Sequence, residues 1–129
     1  GSIRPNLPRR VKGIRVEEKL SVIAFLHTAM WVKAKKNGIL GKYTINYENG
    51  TSEEIILKNE INIADWWRKQ DNPEAPVATI ITAPNRKQYA IYLMQWKNPY
   101  PKEMIKSIDM ESNGKAILAL IALTGIKSR

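Results

Sequence analysis

The 129-residue chain contains no cysteine, one histidine and one phenylalanine. Without cysteine there is neither a disulfide framework nor a thiolate metal site. The compartment stays open on this ground, because many secreted bacterial-type domains also lack disulfides. With His27 alone and no clustered acidic loop, a transition-metal site has too few ligands. A structural calcium held by carbonyl oxygens would leave no mark in the sequence. There is no Gly-x-Ser-x-Gly elbow and no phosphate-binding glycine loop, which removes the commonest hydrolase and nucleotide signatures. The longest apolar run, Ala116–Leu123, falls far short of a membrane span, so no membrane insertion is expected. No signal peptide is visible, and Gly1-Ser2 reads as a cloning scar.

What remains is a length that suits one domain with a core of its own. The formal net charge of +9 is unevenly spread. Residues 1–42 carry +8, residues 43–76 carry −4 and residues 77–129 carry +5. Such a basic excess suits acidic partners, whether polysaccharide, nucleic acid or membrane surface. Nucleic acid is the least favoured of these, because the basic residues are mostly not interleaved with aromatics as a single-strand platform requires. Solvated lysine on strand faces explains much of the same charge.

Residues 3–16 contain Pro5, Pro8 and Gly13 and show no sustained periodicity, so they read as an extended lead-in that pairs along an edge near Ile14–Val16. A turn at Glu17–Lys19 opens the sandwich proper, expected over residues 17–126, with 127–129 as a tail. Leu20–Leu26 is apolar on both faces, which predicts a central strand covered on both sides. Residues 33–38 form a charged loop. Ile39, Gly41, Tyr43, Ile45 and Tyr47 alternate with Leu40, Lys42, Thr44 and Asn46, and Asn49-Gly50 predicts a type I′ hairpin to Thr51–Lys58. The sequon Asn49-Gly50-Thr51 is explained by the turn. Val77–Ala83 and Lys87–Trp96 make a second hairpin across Pro84-Asn85-Arg86, and the latter strand is apolar on both faces. Met104–Glu111 alternates imperfectly, which predicts a bulge. Ala116–Thr124 is read as a final central strand. About eight turn-bounded strands and no helix predict an all-β antiparallel β-sandwich or jelly roll.

Glu60–Trp67 holds two adjacent tryptophans at the end of an alternating run. Read as a strand, it sends the two indoles to opposite faces. Each ring carries roughly 150–250 Å² of buriable surface, several kcal/mol at about 25 cal/mol per Å². The expectation is that Trp67 enters the core and Trp66 lies near a surface or cleft.

Val11-Lys-Gly-Ile14, Phe25-Leu-His27-Thr-Ala29, Tyr47-Glu-Asn-Gly-Thr51, Asp65-Trp-Trp67, Trp96-Lys-Asn-Pro99 and Ile121-Ala-Leu-Thr-Gly125 occur in this order. The series resembles a family of galactose-binding-like β-sandwich domains, over about Pro8 to Gly125. The family's pattern begins with a further strand before Pro5, where this chain departs from it. The resemblance implies an accessory module of a larger secreted carbohydrate-active protein, extracellular or at the cell surface, with that parent as a partner.

Sugar rings stack their C–H faces on indoles while their hydroxyls take directional hydrogen bonds. Trp31, Trp66 and Tyr100 sit at expected strand ends or loops beside Lys33, Asp65, Arg68 and Asn98. Tyr43, Tyr47, Tyr92 and Trp96 read as core. His27 is expected to be a hydrogen-bonded structural imidazole oriented by Asp65, or else a ligand contact at a strand end. A glycosidase would need two carboxylates about 5–10 Å apart, and Asp65 with Glu53, Glu54, Glu60 or Asp109 supplies candidates that are more simply solvated. The expected function is therefore non-catalytic carbohydrate binding, neutral or acidic, through loops at one end carrying Trp31, Trp66 and Arg68. His27, Asp65, Asn98 and Tyr100 complete the candidate set. A structural or protein-interaction role, or binding of acidic polymers, are the alternatives.

Overall fold

In the computed structural model, which describes residues 10–128, eight strands form two sheets. In chain order they are β1 (Arg10–Glu18), β2 (Leu20–Met30), β3 (Ile39–Tyr47), β4 (Ser52–Lys58), β5 (Val77–Thr82), β6 (Gln88–Lys97), β7 (Ile105–Ser112) and β8 (Ile117–Lys127). One sheet has the order β1-β7-β3-β4 and the other β5-β6-β2-β8, all pairs antiparallel. The domain is an all-β two-sheet sandwich. Among the described residues there is no helix long and apolar enough to cross a membrane.

The core lies where the alternating faces meet. Tyr43, Ile45, Tyr47, Leu57, Ile105 and Ile108 of one sheet face Ile23, Phe25 and Met94 of the other, all essentially inaccessible. Phe25 stacks on Tyr43 at 4.3 Å between ring centroids. A smaller second core of Ala64, Ala75, Ala90 and Tyr92, with Val77 against it, is built from the long β4–β5 connection and the start of β6.

Several expectations change in the structure. The edge pairing expected near Ile14–Val16 is present and is longer than expected: Arg10 onward is edge strand β1, paired to β7 from Arg10–Glu111 to Glu18–Ile105. Residues 1–9 lie outside the described residues. The Asn49-Gly50 hairpin forms, but only Gly50 has positive φ (91°), so the loop is the three-residue kind rather than type I′. The bulge expected in the seventh strand is present at Lys106, between the Asn46–Ser107 and Tyr47–Ile105 pairs. β2 is central in its sheet, yet only one of its faces meets the other sheet; Val22, Ala24 and Leu26 on the outer face remain half-exposed.

Glu60–Trp67 is not a strand. Glu60 turns with φ 63°, and the Asn62 side chain supplies strand-like bonds to the β4 end instead. Its Oδ1 accepts the Lys58 N–H (2.8 Å) and its Nδ2 donates to the Ile56 carbonyl (2.8 Å). Alternation in the sequence thus reflects separate anchors, Ile63 and Ala64 buried and the indoles beyond them, rather than one pleat.

Candidate functional site

β2 and β6 stay paired from Val22–Lys97 to His27–Tyr92 and then part. The segment Ala64–Trp66 enters the gap. Ala29 N–H donates to Ala64 O (3.0 Å), Trp66 N–H donates to Ala29 O (2.8 Å), and Ala90 N–H donates to Trp66 O (2.8 Å). Backbone groups that the diverging strands would leave unpaired are satisfied by this wedge. Tyr92 locks it from below: its hydroxyl donates to Asp65 O (2.7 Å) and accepts the Lys69 N–H (3.1 Å). The Asp65 carboxylate is used locally, with Oδ1 accepting the Trp67 N–H at 2.8 Å.

The wedge sets the two tryptophans at the rim. The half-buried Trp66 and the exposed Trp67 lie edge to face, 6.2 Å between centroids, and Tyr89 of β6 packs against both at 4.3 and 4.9 Å. Trp67 is 47% exposed, which reverses the expectation that it would be the core indole. The parity rule behind that expectation does not apply, because the segment is a loop. Lys87 Nζ lies 5.7 Å from the Trp67 ring centroid.

Beside Trp67 is a hollow of about 440 Å³, lined also by Val32, Ala34, Asn59, Glu60, Asp65, Arg68 and Gln70. Its volume falls within the range of small-molecule sites. Arg68 is preset in it: Nη1 pairs with Glu60 Oε1 at 2.8 Å and Nε donates to Asn72 Oδ1 at 3.0 Å. Asn72 is buried and is itself held by Gln70 O and Ala75 O. Trp31, Glu60 and Lys69 around this rim have φ of 49°, 63° and 51°, left-handed values that cost a non-glycine residue of order 1 kcal/mol each.

The candidate residues do not all meet here. Trp31, Asp65, Trp66 and Arg68 belong to the end of the sandwich where β2 finishes and β6 begins. Asn98 and Tyr100 follow the far end of β6, at the opposite pole. Asn98 is buried, with Oδ1 accepting the Tyr47 hydroxyl (2.6 Å) and Nδ2 donating to Leu20 O (2.7 Å), so it organises its loop. Tyr100 is half exposed and packs edge-on against Tyr47.

His27 is fully enclosed, which leaves no surface for a ligand. Its orienting partners are not Asp65 but Tyr43 and Asn62. Nε2 lies 2.8 Å from the Asn62 carbonyl, an acceptor only, so Nε2 carries the proton. Nδ1 then accepts the Tyr43 hydroxyl at 2.6 Å. Burial lowers the His27 pKa to about 4, with the Asn62 bond acting weakly against it.

The sequence placed Trp67 in the core, took Glu60 for a solvated carboxylate, and gave no sign of Tyr89, Lys87 or Asn72. Only the doubled tryptophan signalled the place; the other four are brought in by the β4–β5 connection folding back onto β6. Among the described residues no group of three or more His, Asp or Glu could hold a metal ion. No family model, curated protein or solved structure matches this chain.

Proposed function

We propose that this domain is a non-catalytic carbohydrate-binding module of galactose-binding-like type that takes a sugar at the Trp67 rim. The observation that carries this reading is an exposed indole bordering a polar hollow. Trp67 offers a stacking face for the apolar side of a pyranose, while Asp65, Glu60, Arg68, Asn59 and Gln70 offer acceptors and donors for its hydroxyls. Arg68 and Glu60 hold each other, and Asn72 holds Arg68 from behind, so the polar groups are ordered before a ligand arrives, which lowers the entropic cost of binding. Accessory attachment to a larger secreted protein is part of the same reading.

The test is a glycan array including neutral, uronic and sulfated sugars, read at low and moderate salt. A hit that survives moderate salt and is lost in Trp67→Ala is the expected result. Binding confined to acidic glycans and abolished by salt would replace stacking recognition with a polyanion site. No hit at either salt would sink the proposal.

A further inference from the structure

The two sheets differ sharply in charge. The strands β1, β3, β4 and β7 contain twelve charged residues, five in β1, one in β3 and three each in β4 and β7. β5, β6, β2 and β8 are longer in total and contain two, Lys97 and Lys127, with no Asp or Glu. The outer face of the first sheet is a polar ladder, with Arg10–Glu111 and Lys42–Glu54 ion pairs and an Asn46–Asp109 bond.

The outer face of the second sheet is apolar. Register places Lys97, Val22 and Ile126 in one row across it, then Gln95, Ala24 and Thr124, then Leu93, Leu26 and Ala122. Val22, Ala24, Leu26 and Leu93 are half-exposed, Ala122 is exposed, and Ile126 is 58% exposed. Ile81 of β5, opposite Tyr89, extends the apolar surface at 47% exposure. An antiparallel sheet with a free face ordinarily shows polar residues there. This one carries two uncharged polar residues in its middle, Gln95 and Thr124, and its charged groups lie at the ends and are cations: Lys97 at one end, Arg86 and Lys87 in the β5–β6 turn at the other.

We infer that this face docks another protein, through a strand or sheet surface that is apolar in its middle and acidic at both ends. Charge complementarity selects that occupant. A second copy of the chain would bring cations against cations with no acid on the face to meet them. A lipid surface fits poorly because the centre is flat, with Ala24 and Ala122 where a membrane-seeking face would need projecting bulky side chains. The small central residues instead allow the close approach of a packed sheet, at about 10 Å between backbones. The surface has a different lining from the Trp67 hollow and meets that rim only at its β5–β6 end, where Lys87 and Tyr89 also border the Trp67 ring.

The test is a titration of isotope-labelled protein with a synthetic peptide that alternates Val and Thr and carries two Glu at each end, followed by NMR. Amide shifts clustered at Val22–Leu26, Leu93–Lys97 and Ala122–Ile126 are expected. Binding should weaken at least tenfold in Ile126→Glu, in Lys97→Glu, and for the same peptide with Lys at its ends. Retention of the wild-type spectrum elsewhere checks that both variants stay folded. Absence of shifts, shifts outside this face, or equal affinity for both peptides would overturn the inference. So would concentration-dependent dimerisation seen by sedimentation, or stronger binding to phosphatidylglycerol vesicles than to the peptide.

Discussion

His27 Nδ1 lies 2.6 Å from the Tyr43 hydroxyl, a bond that crosses from one sheet to the other inside the core. Because Nε2 donates to the Asn62 carbonyl, the imidazole is in its neutral form with Nδ1 as acceptor. A second proton would take the lone pair that Tyr43 uses and leave a buried hydroxyl without its acceptor.

Stability should therefore depend on pH through His27. Its folded pKa is held near 4, below the ordinary 6.5, so the unfolded chain binds the proton more tightly. The stabilisation is fully present above about pH 6.5 and is lost as pH falls toward about 4; the full span is of order 3 kcal/mol. Urea unfolding at pH 7.5 and 4.5 should show a larger loss for the wild type than for His27→Gln. Equal losses would mean that other groups govern the acid response.

Tyr92→Phe removes the hydroxyl that joins Asp65 O to the Lys69 N–H. Leaving those backbone groups without their partner should cost about 1–3 kcal/mol. Hydrogen exchange should speed up selectively between Asp65 and Lys69, while the β3–β7 pairs stay protected. Uniform acceleration across the chain would show that Tyr92 supports the whole fold rather than the wedge.

Trp67 and Trp66 should separate in their effects. Trp67→Ala removes a half-exposed ring and is expected to shift stability by less than about 1 kcal/mol while abolishing any sugar binding. Trp66→Ala removes a half-buried ring packed at a tilt against Tyr89, 4.3 Å between centroids, and should lower the melting temperature by several degrees. Thermal melts of the two variants, paired with binding to whichever glycan the array returns, distinguish a contact residue from a supporting one.

Gly41 is the position in the described strands least able to accept a side chain. A Cβ there would collide with the Glu111 carbonyl of β7 and reach within 2.9 Å of Leu118 Cδ1. Because the first obstacle is backbone, Gly41→Ala should cost several kcal/mol or prevent folding. Chemical denaturation against wild type measures it, and a change below about 1 kcal/mol would show that β3 and β7 can separate locally.

Much of the fold was legible in the chain. Period-two alternation in Ile39–Tyr47 and the turn residues at Asn49-Gly50 and Pro84–Arg86 determine strand identity locally, since a pleat and a tight turn involve only neighbours. The imperfect alternation near Met104 marked the real bulge at Lys106. The burial of Tyr43, Tyr47 and Tyr92 followed from the same patterns. For the adjacent tryptophans the expected exposure is reversed, because the face a side chain takes is fixed by parity only while the chain remains a strand, and this segment is a loop.

Glu60–Trp67 reads as a strand in the sequence but is not one, and Ala116–Thr124 reads as a central strand but lies at an edge; most strand limits and an all-β sandwich are nonetheless determined by the sequence itself. Those depend on local backbone preference and on the hydrophobic effect acting on alternating positions. Which apolar faces are covered depends on packing between strands far apart in the chain. β2 and β6 are apolar on both sides, yet the sandwich has two layers, so their outer faces stay open to solvent. The tertiary structure also decided that Ala64–Trp66 lies between β2 and β6, bringing Trp67, Tyr89 and Lys87 to one rim. Both outcomes come from contacts between residues distant in the chain, which no local pattern encodes.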